Sequence, residues 1–97
     1  MEIVILDLAL LEIEDAILYY EDQLTSLGKE FYKEVFETFD VILCHPNAWK
    51  KIGKQTRKCL LKRFPYFVFY IVENNQITIT AVGHQHRDPE YFVERIF

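Results

Sequence analysis

The strongest secondary-structure signal of the chain lies in YFVFYIVENNQITITAV, residues 66–82. Its first part, residues 66–72, consists of aromatic and β-branched side chains, which are typical of strands. Residues 77–82 begin with Ile-Thr-Ile-Thr, a period of two that indicates a second strand. The four residues between them contain Asn74 and Asn75, and asparagine tolerates the positive φ of a tight turn. The segment is therefore predicted to be a β-hairpin.

The N-terminal half predicts one strand followed by two helices. Residues 2–6 are predicted to form a strand, because residues 3–6 are apolar and mostly β-branched, and Asp7 after them is expected to cap a helix. Apolar residues recur at steps of three and four over residues 8–24, which indicates an amphipathic helix. Residues 25–28 should break it, and a second helix with the same period should end before Pro46. The short connection makes the two helices antiparallel.

The C-terminal half predicts a loop at 47–55, a strand at 56–62, the hairpin, and a short terminal helix at 89–96 that Asp88 caps. The order is β-α-α-β-β-β with a short C-terminal helix, which is an α+β fold. We expect a small antiparallel sheet with the helical hairpin on one face and the first strand at an edge. Residues 1–97 should form a single domain.

Composition favours a compact protein that stays in the cytoplasm. Hydrophobic residues make up 51% of the chain and charged residues 27%, yet no apolar stretch is long enough to span a membrane. The acidic N-terminus does not resemble a signal peptide. Cys44 and Cys59 have apolar neighbours, so they are expected to be reduced core thiols.

The charge is distributed unevenly along the chain. Residues 1–48 carry eleven acids and two lysines, a net of −9, whereas residues 49–97 carry nine basic residues and four acids, a net of +5. Residues 50–63 alone contain seven basic residues and no acid. This pattern predicts a surface for a polyanion or an acidic partner, although a merely solvated strand edge is the alternative.

A second group of candidates lies where the last strand meets the terminal helix, and it comprises His84, His86, Arg87, Tyr91 and Arg95. Arginine binds phosphate in a bidentate fork and histidine transfers protons near neutral pH, so a phosphate or RNA site is one interpretation. In the other, Arg87 and His84 brace the terminal helix through acids or main-chain carbonyls. Two imidazoles on a strand point to opposite faces, so no metal is expected. The chain lacks nucleotide-binding motifs, and no cofactor is expected.

Several motifs in this order resemble the RelE/ParE superfamily of toxins from type II toxin–antitoxin systems. They are AILYYEDQ at 16–23, LGKEF at 27–31, RFPY at 63–66, and AVGH at 81–84 followed by RDP at 87–89. The RFPY strand start and the ending H..RDP.Y are closer to the ParE branch, whose members are associated with plasmid stabilisation.

The resemblance implies a toxin that arrests growth by poisoning DNA gyrase and that an acidic, ParD-like antitoxin neutralises. An amphipathic segment of that antitoxin should cover the helical hairpin or pair with the sheet edge. The RelE branch instead cleaves messenger RNA on the ribosome, and a net charge of −4 departs from the basic surface that this activity favours. Whether the chain is an enzyme therefore stays open. A degenerate member that only binds its antitoxin is a third interpretation.

The candidate residues follow from these two activities. For a nuclease, we expect Arg63 and Arg87 to stabilise phosphate and His84 or His86 to transfer a proton, with Tyr91 or Lys54 in support. The candidates for target or antitoxin binding are Lys50, Lys51, Lys54, Arg57, Lys58 and Arg95.

Overall fold

The computed structural model describes residues 1–96, so Phe97 of the predicted domain lies outside the described residues. The elements are β1 (Glu2–Ile5), α1 (Asp7–Gln23), α2 (Leu27–Cys44), β2 (Thr56–Leu60), β3 (Tyr66–Glu73), β4 (Gln76–His84), a 3-10 helix (Pro89–Phe92) and α3 (Val93–Ile96). The predicted order and the α+β class are confirmed. Residues 89–96 are called the terminal segment below. None of the helices in the described part is long and apolar enough to cross a membrane.

The four strands form one sheet in the order β1-β4-β3-β2. Strands β2, β3 and β4 form the predicted antiparallel meander. Strand β1 lies at the edge, as expected, but it runs parallel to β4, so the sheet is mixed rather than wholly antiparallel. A pair of helices connects β1 to the meander, and such a long connection does not impose the antiparallel direction that a tight turn imposes.

The boundaries of the helices differ slightly from the prediction. Asp7 is the first residue of α1 rather than its N-cap, because the preceding Leu6 takes the extended cap position and has no side-chain cap bond. The break between the helices is shorter than expected, since α2 already begins at Leu27 after Ser26 with φ of 74°. Glu21 of α1 caps the new helix by accepting hydrogen bonds from the backbone N–H groups of Ser26 and Gly28.

The main core lies between the helical hairpin and one face of the sheet. Its members include Ala9, Ile13, Phe31, Val35, Ile42, Val68, Tyr70, Ile77 and Ile79, all buried. The helices approach each other closely at Gly28, where a Cβ atom would lie 2.5 Å from the Ile17 carbonyl oxygen. The predicted apolar stripes of both helices therefore do face the sheet.

A second, smaller core covers the opposite face of the sheet, and the sequence did not predict it. Phe92 of the terminal segment is 1% exposed and packs edge to face on Phe67 and Phe69. Gly83 makes room for this ring, since a Cβ atom there would lie 2.1 Å from Cζ of Phe92. The aromatic residues of β3 thus contribute to two cores on opposite faces of the sheet.

The two cysteines differ in their surroundings. Cys59 is buried and free, and burial raises the pKa of its thiol to about 11, so it is an inert core group. Cys44, the last residue of α2, is exposed, and the expectation that it belongs to the core is wrong. Cys44 follows buried Ile42 by two residues, about 200° around the helix, so it lies on the side of α2 away from the core.

Candidate functional site

The terminal segment is held to the rest of the fold by Arg95. Its guanidinium forms two hydrogen bonds to the Glu12 carboxylate of α1, of 2.6 and 3.0 Å, and a third to the Thr80 carbonyl oxygen at 3.1 Å. Glu12 also accepts from the backbone N–H of Val82 at 3.0 Å. Strand β1 ends at Ile5, so these two side chains satisfy backbone groups of β4 beyond the reach of β1.

This ion pair is shielded from solvent. The side chains of Arg95 and Glu12 are 18% and 11% exposed, and the hydrogen bonds to Glu12 raise the pKa of Arg95 further. A shielded pair that also holds backbone groups has a structural role. A contact between Arg95 and a target or antitoxin, which the sequence suggested, stays a prediction.

An open cleft of about 260 Å³ lies between α1 and the end of β4, and it is called the junction cleft here. Its lining comprises Glu12, Asp15, Ala16, Tyr19, Tyr66, Val82, Gly83, His84, Arg87 and Tyr91. The guanidinium of exposed Arg87 lies 3.7 Å from the centre of the Tyr91 ring, a stacked cation–π contact. Stacking uses the flat face of the guanidinium, so its N–H groups stay available to a ligand in the plane.

The two histidines lie close together instead of pointing to opposite faces. Strand β4 ends at His84 and the chain turns, so the rings of His84 and His86 are 5.4 Å apart. The backbone N–H of His86 donates to Nδ1 of His84 at 3.0 Å, which requires an unprotonated Nδ1. Within residues 1–96 no third potential ligand joins them to form a metal cluster.

One wall of the junction cleft is formed by the phenol of Tyr66. Tyr66 packs edge to face on His84, with ring centres 5.2 Å apart. Burial, with a contribution from Tyr19, raises the pKa of the Tyr66 phenol, although Arg87 opposes this shift. Tyr66 therefore remains a neutral hydrogen-bonding group near physiological pH and does not act there as a phenolate base.

Arg63, the other predicted phosphate ligand, lies elsewhere. Its Nε donates to the Glu34 carboxylate of α2 at 3.1 Å, and its backbone N–H donates to the same carboxylate at 3.0 Å. The hydrogen bond to Glu34 raises the pKa of Arg63. The cleft beside Arg63 shares no lining residue with the junction cleft, so the structure does not bring Arg63 and Arg87 together.

The alternative interpretation, in which Arg87 and His84 brace the terminal helix, also agrees only in part with the structure. Among the described residues the ion pairs belong to Arg63 and Arg95, whereas Arg87 contacts Tyr91 and pairs with neither Glu90 nor Glu94. The predicted N-cap does form, since the Asp88 carboxylate accepts from the backbone N–H of Glu90 at 3.0 Å. The terminal segment is thus started by Asp88 and anchored by Phe92 and Arg95.

The basic run surrounds strand β2 and forms an exposed surface, which is called the basic surface here. Its lysines are all exposed, and within residues 1–96 none takes part in an ion pair: Lys50, Lys51, Lys54, Lys58 and Lys62. Arg57 is different, because it donates to the carbonyl oxygens of Asn47 and Trp49 and so fixes the loop after α2. Lys58 lies on the other face of the sheet, 4.5 Å above the Phe67 ring.

A further exposed region was not singled out from the sequence. Leu8, Leu11 and Leu18 of α1 are 45%, 51% and 66% exposed on the side of the helix away from the sheet. We call this side the α1 outer face. The available signal was the spacing of these leucines, which departs from the stripe of core residues on the same helix.

The fold and these surfaces define a small α+β protein whose described residues form open clefts and charged faces. A sequence model of the family described as "ParE toxin of type II toxin-antitoxin system, parDE" matches residues 3–89. The chain therefore belongs to the ParE toxin family, which confirms the resemblance described above.

The fold also matches a solved structure described as "Chromosomal ParDE TA system from P. aeruginosa". The superposition has a TM-score of 0.71, with 14% sequence identity, and it covers 87% of this chain and 95% of that chain. At this identity the match concerns the fold. A search among curated proteins found no significant match in sequence.

Proposed function

We propose that the chain arrests bacterial growth by binding DNA gyrase and that a cognate antitoxin neutralises it. The carrying observation is the ParE family match over residues 3–89, which includes α1, α2, strands β2 to β4 and all of β1 except its first residue. The basic surface supports a binding activity, because its lysines are exposed and form no ion pair with any residue that the structure describes. This activity belongs in the cytoplasm, where gyrase acts on DNA.

The alternative is cleavage of messenger RNA on the ribosome. The observation in its favour is that His84, Arg87 and Tyr91 share the junction cleft. General acid–base cleavage needs several groups that converge on one phosphate, and Arg63 lies apart, bound to Glu34. We therefore rank gyrase binding first.

The decisive experiment expresses the full chain from a tightly repressed promoter and then tests the purified protein on gyrase and on a translated message. We expect growth arrest and inhibition of supercoiling or trapping of cleaved DNA. Cleavage of the message without an effect on gyrase would reverse the ranking. Normal growth with verified folded protein, and neither activity in vitro, would leave only an antitoxin-binding member.

The basic surface is tested with two charge-matched variants. Replacing Lys51 and Lys58 together with alanine should weaken gyrase inhibition about tenfold, because contacts made by exposed charges steer and hold an oppositely charged partner. The control replaces Lys29 and Lys33, which are exposed on α2, and removes the same charge. Equal losses in the two variants would contradict a role for the basic surface.

The proposed antitoxin is a small acidic protein encoded beside this gene. The matched solved structure is of a ParDE system, which supports the idea that this ParE-family chain also has a protein partner. Co-expression of the neighbouring product should restore growth and co-purify with the chain. Arrest that persists despite a soluble neighbouring product would exclude that product as the antitoxin.

A further inference from the structure

The basic surface offers lysines rather than arginines to a partner. Arg57 donates to the carbonyl oxygens of Asn47 and Trp49, and Arg63 is bound to Glu34, so groups of this chain hold both guanidiniums of the basic run. The remaining cations of the run are Lys50, Lys51, Lys54, Lys58 and Lys62, all exposed. A lysine ammonium is a flexible point charge, without the planar fork by which arginine reads one particular carboxylate or base edge. The surface therefore suits a dense row of anions whose exact positions matter little.

The backbone that carries these lysines is fixed. Lys51 forms an antiparallel bridge with Arg57, and the N–H of Ile52 donates to the carbonyl oxygen of Thr56 at 2.8 Å, so this part of the chain forms a tight loop on the outer edge of β2. Ile52 packs against the second core, and the Thr56 hydroxyl donates to the carbonyl oxygen of Ile96 at 3.2 Å. The lysine stems can move but their points of attachment cannot, so binding requires little ordering of the backbone.

Acidic residues weaken the basic surface at two places. Lys62 lines two clefts together with glutamates of α2. Glu73, at the end of β3, borders the loop that carries Lys54, because Thr56 pairs with Ile71. None of the lysines of the surface is in an ion pair within residues 1–96, but the acids of α2 reduce the potential around Lys62. The free positive charge therefore lies mainly on Lys50, Lys51, Lys54 and Lys58.

The most acidic element of the molecule lies away from the basic surface. Helix α1 carries six acids and no lysine or arginine, and its Glu12 binds the backbone of Val82, so α1 lies over β4. The sheet order β1-β4-β3-β2 puts one strand between β4 and β2. Helix α2 is nearer to β2, but its two lysines offset half of its four acids. A polyanion that approaches β2 therefore meets lysines while α1 lies over the far half of the sheet.

The aromatic residues beneath the basic surface are not available to nucleobases. Phe67 and Phe69 are 5% and 3% exposed, and the Lys58 ammonium itself lies 4.5 Å above the centre of the Phe67 ring. Proteins that bind single-stranded nucleic acid rely on stacking of bases on exposed aromatic rings. A duplex needs no such rings, because its bases are paired and its phosphates face outward. It carries one negative charge per about 1.7 Å of axis, a density that attracts dispersed lysines without precise geometry.

We infer that the basic surface binds the phosphate backbone of duplex DNA, an inference that rests on the proposed function and names the partner of this surface. In the gyrase complex that partner is the DNA segment that the enzyme holds, while other parts of the chain contact the gyrase protein. Contacts between lysines and phosphates set position and affinity but read no sequence. Binding is therefore expected to be independent of DNA sequence and strongly dependent on salt.

The test measures binding of the purified full chain to a labelled DNA duplex by fluorescence anisotropy, over a range of salt concentrations. Each neutralised phosphate contributes about −0.9 to the slope of log K against log salt, so the four lysines predict a slope of about −3 to −4. A duplex of scrambled sequence should bind equally within about twofold. A single strand of the same length should bind more weakly. A slope near zero, or a preference for the single strand, would overturn the inference.

The same two charge-matched variants locate the binding. Lys51→Ala with Lys58→Ala should weaken duplex binding about tenfold at moderate salt and make the slope shallower by about 2. Lys29→Ala with Lys33→Ala removes the same charge from α2 and should leave both values nearly unchanged. All these positions are exposed, so both variants should fold, and circular dichroism checks this. Equal losses in the two variants would show attraction by net charge alone and would refute a defined surface.

Binding to gyrase without DNA separates this inference from the proposed function. The wild-type chain and the Lys51→Ala, Lys58→Ala variant should bind immobilised, DNA-free gyrase equally, because these lysines contact DNA. A loss of that binding in the variant would assign the basic surface to the gyrase protein, which overturns the inference and leaves the gyrase proposal intact. Duplex binding with the expected variant pattern, but no binding to gyrase and no inhibition of supercoiling, supports the DNA surface and refutes the proposed target.

Discussion

Two helical glutamates perform the same task at two places in the molecule. Glu12 of α1 accepts from the backbone of Val82 and from the Arg95 guanidinium, and Glu34 of α2 accepts from both the backbone and the side chain of Arg63. The difference lies in the arginines, since the Arg95 side chain is 18% exposed and that of Arg63 is 59% exposed. The two ion pairs should therefore contribute unequally to the free energy of unfolding, because solvent screens the Arg63 pair and not the Arg95 pair.

The largest effect is expected for Arg95→Ala. This change leaves the shielded Glu12 carboxylate without its cation and the Thr80 carbonyl without its donor. The free energy of unfolding should fall by about 3 kcal/mol, the lower end for a broken buried pair, because Val82 still donates to Glu12. Urea unfolding measures this value. A loss below about 1 kcal/mol would show that solvent already screens the pair.

Gly83→Ala should have the next largest effect, about 2 kcal/mol, through overpacking against the Phe92 ring. The damage should be local, so hydrogen exchange should quicken in residues 89–96 more than in α1 or α2. Adding Phe92→Leu to Gly83→Ala should cost less than the sum of the single changes, since a smaller side chain relieves the clash. Strict additivity would contradict the close packing of these two residues.

Arg63→Ala should have a much smaller effect than Arg95→Ala. The lost guanidinium is mostly exposed, and the replacement still offers its backbone N–H to Glu34. Thermal unfolding of both variants in one buffer compares them directly. Glu34→Ala serves as the control, because it removes the acceptor for the backbone of the β2–β3 connection and should destabilise more than Arg63→Ala. Equal effects of Arg63→Ala and Arg95→Ala would refute the proposed role of burial.

The smallest effect on stability at neutral pH is expected for two core groups beneath the helices that lose their protons only at alkaline pH. Burial raises the pKa of Tyr70 from 10.0 to about 12, and that of Cys59 from 9.0 to about 11. The folded state therefore holds these protons more tightly than the unfolded state, and stability should fall as the pH rises from about 9 to 12.

Tyr70→Phe should flatten the alkaline part of this profile, from about pH 10 to 12, as measured by the melting temperature. It also removes the hydrogen bond from the Tyr70 hydroxyl to the Pro46 carbonyl, so a small constant loss is expected at every pH. Tyr32→Phe is the control, since Tyr32 is 51% exposed. An unchanged slope in Tyr70→Phe would contradict the assignment.

The sequence predicted those features that depend on neighbouring residues. The β3–β4 hairpin, the helical periods and the Asp88 cap have signals within a few positions, and all three are present. The partnership of Glu12 with Arg95 joins residues 83 positions apart, so no local pattern indicates it. The packing of the Phe92 ring likewise depends on Gly83, which lies beneath the ring only in the folded sheet.

The candidate site was predictable to a similar extent. His84, Arg87 and Tyr91 are close in sequence, and the structure places them in one cleft. Arg63 and Arg95 attracted attention as cations, but acids on the helices hold them, and residue type alone does not reveal such pairing. The exposure of the leucines on the α1 outer face could not be predicted from the sequence. A helix with apolar residues on two sides still shows a helical period, so the pattern does not separate exposed from buried apolar residues.

The pairing of Glu12 with Arg95 also bears on self-assembly. A strand with free backbone groups along its border is a template onto which other chains add, and such growth leads to fibres. Past Ile5, those two side chains occupy backbone groups on the border of β4. At the far border, the ammonium groups of Lys58 and Lys62 lie on or just after β2 and repel an approaching copy. The sheet is thus protected from polymerisation at two places, past the end of β1 by a salt bridge that occupies backbone groups of β4 and along β2 by like charge.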